Sequence, residues 1–502
     1  MKTTPDQPDE SATSPTTTTA HKAPGALRGE ALLLDGYLRF RESNPTPFTT
    51  PGHKGRAWAI DADLAAAVAG DVPLYGGVDT VKSARGLLAN AEQRSAKWYG
   101  ADWCRYSPGG STHCNQALCL SIGRPGDKVV VTRSLHRSLL LGMVMADLEP
   151  CWLPTKIDSA TGMPLGVAVE DVESTLAANP DARAVLVTEP GYLGTLSDLG
   201  PIIEVAHRYG VPVIVDQAWG AHFGYHPDLP PNAMSLGADA MVTSIHKLLP
   251  GYTQASLVAA RTLRLDPDRL DRGFEAGHTT SAAGQVLASI DACRALMETR
   301  GHELLDGVIA NVRTARERLR EQIPGLGVPD ETSFAPGRFD TTRLVLLLSG
   351  VGANGIEIER MLLEENIPLE LADRDTIVAI VTVADDASTL DKLVSALVPA
   401  IRQSTGAPRP PSVALSWDVQ PVYAMSPRAA FFSAHESLPA DQAVGRVSAE
   451  LIAPYPPGIP VLAPGELVTE ALLGRLRAVA AEGVRVAYAA DPSLSTIEVV
   501  RA

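Results

Sequence analysis

The residue with the greatest chemical reach is a lysine at the end of an apolar run. Lys247 closes Thr243-Ser244-Ile245-His246-Lys247. A lysine amine condenses with an aldehyde once it is uncharged, a state favoured by burial or by neighbouring cations. Asp216 follows Val211-Pro212-Val213-Ile214-Val215 and precedes Gln217-Ala218-Trp219. A carboxylate there can pair with a protonated pyridine nitrogen and keep that ring electron-withdrawing, and Ala218 is small enough to let the ring approach. Taken singly, each has a plainer reading: a lysine facing water, an aspartate capping a turn.

A third piece completes the set. Gly109-Gly110-Ser111-Thr112-His113 supplies flexible backbone and hydroxyl donors just where a helical pattern begins. Free amides at a helix start bind anions, and Ser111, Thr112, Ser244 and His246 can add donors. The segment lacks the Gly-Lys-Ser/Thr ending of a P-loop. An aldehyde-seeking lysine, a pyridine partner and a phosphate cradle together describe a site for pyridoxal 5'-phosphate (PLP). His136, in Arg133-Ser134-Leu135-His136-Arg137-Ser138, can stack on the cofactor ring or position a substrate carboxylate, or serve only as a structural hydrogen-bonding group. His222 is equally ambiguous. No compact His/Cys/Asp/Glu spacing supplies a metal site, and no serine has an evident His/Asp partner for hydrolysis.

These residues need strands that end together. Between about Asp127 and Ala260, β-rich runs alternate with helical patterns: strands at Lys128–Thr132, Ala184–Thr188, Val211–Val215, Ala240–Thr243 and Ala255–Ala259, and helices at Ser138–Leu148 and Pro201–Tyr209. That alternation predicts a largely parallel sheet covered by helices. His136, Glu189, Tyr192, Asp216 and Lys247 stand where apolar runs stop, so strand ends can bring them to one crevice. A long helical stretch spans Ser281–Arg320. Thr342–Leu348, Ile356–Glu365, Thr376–Val383 and Asp385–Leu397 then read as strand, helix, strand and helix.

The chain divides on this reading into a disordered Thr/Pro/Ser-rich tail (1–25), an amino-terminal segment with dimer contacts (26–100), a large domain (101–330), a small α/β domain (331–403), a linker or loop (404–412) and a carboxyl-terminal region (413–502). The 502 residues are 45% hydrophobic and carry a net charge of -15, which argues against nonspecific nucleic-acid binding. Five cysteines without pairing or metal-site spacing fit a reducing, cytoplasmic compartment. No apolar run reaches the roughly 18 residues of a membrane span.

In these motifs the sequence resembles the ornithine/lysine/arginine decarboxylase family of fold-type I PLP enzymes, in its compact form without an amino-terminal wing domain. The resemblance runs from about Pro47 through Glu466. It includes Thr50-Pro51-Gly52-His53-Lys54-Gly55, Gly110-Ser111-Thr112-His113-Cys114-Asn115, the His136 segment, Asp216-Gln217-Ala218-Trp219 and Ser244-Ile245-His246-Lys247. Gly445-Arg446-Val447-Ser448 and Pro454-Tyr455-Pro456-Pro457-Gly458-Ile459-Pro460 also fit. It implies an α/β fold with an aspartate-aminotransferase-like large domain and a smaller α/β carboxyl-terminal region. It implies Lys247 as the Schiff-base lysine, Asp216 as the pyridinium partner, His136 on the ring, and Ser111, Thr112, Ser244 and His246 around the phosphate. Thr280 and Ser281 resemble a segment completing the phosphate site of a neighbouring subunit, which implies a homodimer or a higher homo-oligomer. Trp219 stands where compact members commonly have histidine, Ala282 replaces a common proline, and Asp71–Asp79 lacks a usual glutamate.

The implied reaction is decarboxylation of a basic L-amino acid, arginine, lysine or ornithine, to carbon dioxide and the corresponding amine. Glu370 and Asp373, in Pro368-Leu369-Glu370-Leu371-Ala372-Asp373, are candidates for recognising the substrate, with a solvated acidic turn as the plainer reading. The same lysine and aspartate would equally serve an aminotransferase or lyase, and a noncatalytic PLP-binding regulator is a third alternative.

Overall fold

The fold is described from a computed structural model, for residue 27 and residues 29–73, 86–411, 421–455, 459–481 and 484–502. The expected tail, most of the Asp71–Asp79 segment and the centre of the Pro454–Pro460 motif lie outside these residues.

Seven strands make the principal sheet: β1 (Trp103–Ser107), β2 (Lys128–Thr132), β3 (Glu149–Leu153), β4 (Val185–Thr188), β5 (Val213–Asp216), β6 (Ala240–Ser244) and β7 (Ser256–Ala260), in the order β1-β7-β6-β5-β4-β2-β3. From β3 to β6 neighbours are parallel, whereas β7 runs antiparallel to β6 and β1 antiparallel to β7. The expected strands and helices therefore form, with ends shifted by a few residues. β1 and β3 were not expected: Arg105 and Glu149 interrupt their apolar runs.

Period-two alternation divides the strand side chains between two cores. Val130, Val185, Val187, Val213, Val215 and Met241 enter one. Val129, Val131, Leu186, Ile214, Ala240 and Val242 enter the other, where the helix Gly110–Ile122 packs through Cys114, Ala117 and Leu118. Asp216 lies two residues beyond Ile214 and Ser244 two beyond Val242, so both turn toward that helix. Strand register thus fixes which polar ends face the helix start.

The helix Gly284–Gln322 leads out of the first core and into a third. There β8 (Arg343–Leu347), β9 (Leu371–Ala372) and β10 (Thr376–Ile380) form an antiparallel sheet in the order β8-β10-β9. The helix Ala387–Ser404 continues past the expected end at Leu397 despite Pro399. The loop after it is tied down by Arg409, whose guanidinium donates to Asp375 Oδ1 at 2.7 Å and to the Ala353 carbonyl at 2.6 Å.

A carboxyl-terminal core is built on the pairs β11 (His435–Pro439) with β14 (Thr496–Val500) and β12 (Ala453–Tyr455) with β13 (Arg485–Ala487). One link to the principal sheet is a buried two-pronged ion pair. Arg133 Nη1 and Nη2 reach Glu466 Oε1 and Oε2 at 2.5 and 2.9 Å, and Nη2 also donates to the Val461 carbonyl. Among the described residues no helix is long and apolar enough to cross a membrane.

Candidate active site

The strand ends open into a cavity of about 730 Å³. Its floor starts from Asp216, which is 3% exposed and cannot turn to solvent. Asn115, one helical turn after Ser111, donates Nδ2–H to Asp216 Oδ2 at 2.8 Å and also approaches Ser138 Oγ at 2.9 Å. The Ala218 amide donates to Asp216 Oδ1 at 3.2 Å. Ser138 in turn holds His136: Nδ1 accepts the Ser138 amide at 3.2 Å and lies 2.8 Å from its hydroxyl. His136 thereby caps the helix Arg137–Ala146. Burial lowers its pKa, Asp216 opposes that, and Lys247 and Arg137 reinforce it. With Nδ1 accepting the Ser138 amide, the neutral imidazole carries its proton on Nε2.

Lys247 sits on the short helix Ile245–Leu248, directly after β6. Its Nζ lies 3.9 Å from the centre of the Trp219 ring. The amine is pushed down to about 8, first by burial, with Arg343 adding to the shift and Asp216 and Glu370 opposing it. A lysine at that value is partly uncharged in neutral solution, as Schiff-base formation requires.

Opposite these groups stands the start of the helix Gly110–Ile122. Its N-cap Gly109 offers no side chain, and Gly110 adopts φ 71°, a left-handed conformation open to glycine. Gly109, Gly110, Ser111 and Thr112 all line the cavity. Ser111 Oγ and Ser244 Oγ meet at 2.7 Å, so the helix start and the end of β6 present hydroxyls side by side. His246 donates Nδ1–H to the Ala255 carbonyl at 3.0 Å, and burial lowers its pKa. Only Nε2 remains for an anion, which it can serve as a donor once the ring is protonated.

An uncapped helix start with clustered hydroxyls, a carboxylate held by an amide, and a partly uncharged lysine around one cavity fit the phosphate, ring nitrogen and aldehyde of PLP. Ala218 lies in the same wall.

Other candidates are placed differently. Thr280 and Ser281 are exposed and outside the cavity wall of their own chain. Glu370 lines the cavity and accepts the Tyr192 hydroxyl at 2.7 Å. Asp373 also lines it, but Oδ1 accepts the amides of Asp375 and Thr376 at 2.8 and 2.6 Å. That carboxylate is committed to the turn before β10, and burial raises its pKa to about 6. His222 is buried away from the floor, with Nε2 3.1 Å from Asp340 Oδ1. The fold also gathers His226, His302 and Asp306. Asp228 donates its amide to His226 Nδ1, so Nε2 carries the proton that meets Asp306. The triad is accounted for as a hydrogen-bonded cluster.

Sequence reasoning gave no role to Asn115, Ser138 or Arg343. The first could have been found from its spacing: four residues after Ser111, it falls on the same helix face. Ser138 lies beside His136 in the chain but meets Asn115 across 23 residues, and Arg343 comes near Lys247 only through long-range packing that no local pattern displays.

A parallel sheet whose strand ends meet an uncapped helix start, with a lysine after β6 and a carboxylate closing β5, is the arrangement of a fold-type I PLP enzyme. The Orn/Lys/Arg decarboxylase major domain matches residues 33–331 and the carboxyl-terminal domain of the same family matches residues 412–483. The chain belongs to that family. It is 32% identical over 483 residues to an arginine decarboxylase of Bacillus subtilis, covering 94% of this chain and 98% of that one. It is 33% identical over 480 residues to an arginine decarboxylase of Halalkalibacterium halodurans, with 93 and 97% covered. A lysine decarboxylase of Francisella novicida has the same fold, with a TM-score of 0.79 at 19% identity over 95% of this chain and 82% of that one.

Proposed function

We propose that the chain removes the α-carboxyl group of L-arginine as carbon dioxide and releases the corresponding amine, with Lys247, Asp216 and His136 acting at the cofactor. The reaction class is PLP-dependent decarboxylation of a basic amino acid. The choice of arginine rests on one observation. Likeness to arginine decarboxylases extends over almost the full length of both chains at 32 and 33% identity, whereas lysine decarboxylases of Pseudomonas aeruginosa and Escherichia coli match at 25 and 23% over 66% of their lengths.

When bound, PLP supplies the electron sink for the pair left on the α-carbon as carbon dioxide departs. Lys247 would hold the cofactor, its lowered proton affinity supplying the uncharged amine that the aldehyde requires. Asp216, fixed by Asn115 and the Ala218 amide, holds a proton on the ring nitrogen. His136 is kept in one orientation by Ser138, with Nε2–H as its remaining donor. Ser111, Thr112 and Ser244 would bind the phosphate at the helix start, with His246 joining through Nε2 once its ring is protonated. Glu370 accepts from Tyr192 and keeps acceptor capacity for the distal cation of the substrate.

Thr280 and Ser281, exposed on their own subunit, complete the phosphate site of a second copy in a homodimer. Five free cysteines accord with a cytoplasmic location. The PLP-loaded protein is incubated separately with L-arginine, L-lysine and L-ornithine, and carbon dioxide and the amine are measured by mass spectrometry. Equal amounts of both from arginine, at the highest kcat/KM, are expected. Preference for lysine or ornithine overturns the substrate, and keto acid without carbon dioxide overturns the reaction.

A further inference from the structure

Arg343 begins β8 and is 1% exposed. None of its three guanidinium nitrogens has a hydrogen-bond partner among the described residues. The nearest carboxylate oxygen, Asp340 Oδ2, stands 3.8 Å away. The other oxygen of Asp340 is already engaged by the Thr342 amide at 3.0 Å, the Thr342 hydroxyl at 2.7 Å and His222 Nε2 at 3.1 Å. Gly194, at φ 92°, closes over the arginine stem so tightly that a Cβ there would come within 3.1 Å of Arg343 Cβ. The Asp340 amide pins that turn through the Gly194 carbonyl at 2.8 Å. Burying a cation this incompletely paired is costly, and an apolar side chain of similar volume would fill the space more cheaply.

What the guanidinium does touch is the active-site wall. Its Cζ lies 4.7 Å from the centre of the Trp219 ring, and Lys247 Nζ lies 3.9 Å from the centre of the same ring. Trp219 is braced at its edge by Tyr192, with ring centres 5.2 Å apart. Two cations, one on the short helix after β6 and one on β8, thus share one indole. We propose that Arg343 is a positioning residue acting through Trp219: it fixes the indole against which the Lys247 amine lies and opposes a second positive charge there. The inference rests on Lys247 being the Schiff-base lysine.

Charges around the pair set the sign. Asp216 and Glu370 favour a proton on Lys247, Arg343 disfavours it, and His136 and His246 are neighbours whose own protonation Lys247 opposes. Burial lowers the pKa of Arg343 itself, with Asp340, Tyr192 and Glu370 opposing, and Arg316 donates to its carbonyl at 2.8 Å. A guanidinium keeps its proton throughout the working pH range, so its push on Lys247 is constant.

The test titrates Lys247 in the full chain freed of cofactor, by the pH dependence of its trace acetylation, read by peptide mass spectrometry. The wild-type midpoint is expected near 8. Arg343→Met should raise it by about one pH unit, because a like charge has gone, and Arg343→Lys should restore it. Asp340→Asn, which uncovers the guanidinium, should lower it. An unmoved midpoint in folded Arg343→Met overturns the proposal. If that variant does not fold, an unmoved or raised midpoint in Asp340→Asn does so. Borohydride mapping of PLP on wild type is read separately: an adduct elsewhere removes Lys247 as the Schiff-base lysine, whatever Arg343 does to its amine.

Discussion

On the cavity floor Asp216, Asn115, Ser138 and His136 pass contacts from one to the next, and of their buried polar atoms only Asn115 Oδ1 is without a partner. Behind Trp219 the pattern reverses. Arg343, Asp340 and His222 are as deeply buried, yet three guanidinium nitrogens, Asp340 Oδ2 and His222 Nδ1 have no hydrogen-bond partner among the described residues. A saturated network fixes geometry, because each member has one orientation that satisfies its neighbours. An unsaturated one leaves charge unscreened, and its field reaches beyond its own atoms. The floor holds groups in place, and the wall imposes a charge.

The floor can be broken most severely at Lys247, the residue facing it. Lys247→Ala should reduce decarboxylation by at least about 1000-fold, since exchange with the substrate amine loses its participant. Borohydride followed by peptide mapping should find the cofactor on Lys247 in wild type and on no residue of the variant. Asp216→Asn keeps the volume and the contact with the Ala218 amide but removes the charge. A loss on the order of 100-fold in single-turnover rate at full PLP occupancy is expected. Equal rates would remove Asp216 from the chemistry.

The contrast also predicts a pH signature. The Lys247 amine falls from 10.5 in an unfolded chain to about 8 in the folded one, chiefly through burial. Between those values the unfolded state binds more protons, so stability of the cofactor-free chain rises with pH through that window. Below about 8 both states are protonated and the full penalty is present. Lys247→Met should therefore exceed wild type in stability at pH 7 by on the order of 2 kcal/mol, discounted for the open cavity. Its advantage should fade by about pH 10.5, as read by urea unfolding across pH. A constant difference would contradict the burial argument.

The two regions also differ in how far the sequence displays them. Asp216, Ser244 and Lys247 end or follow continuous apolar strands, and the helix start at Gly109 is marked by its glycines, so the floor is a set of local signals that parallel topology brings together. The edge strands are less legible, because Arg105 and Glu149 break the apolar pattern while the ladder still forms. The wall is not legible at all: His222, Asp340 and Arg343 are separated by up to 121 residues, and nothing near Arg343 indicates that β8 will place it against Trp219. The acidic turn shows a similar limit. Glu370 and Asp373 look equivalent in sequence, and only backbone geometry commits Asp373 to the amides of Asp375 and Thr376.

The smallest expected effects lie inside the floor and test whether it acts as a unit. Asn115→Ala removes a charge-assisted contact to Asp216 and should cost about tenfold in kcat/KM. Ser138→Ala touches neither the carboxylate nor the lysine. It removes the hydroxyl that meets both Asn115 Nδ2 at 2.9 Å and His136 Nδ1 at 2.8 Å, while the Ser138 amide still reaches His136. A loss of about threefold is expected, the scale of one neutral hydrogen bond. If the chain of contacts works as a unit, the double variant should lose clearly less than the product of the single losses, because Asn115→Ala has already released what Ser138 steadies. Simple multiplication of the two losses would mean that Asp216 and His136 are held independently, and that the continuity of the floor belongs to its packing rather than to its chemistry.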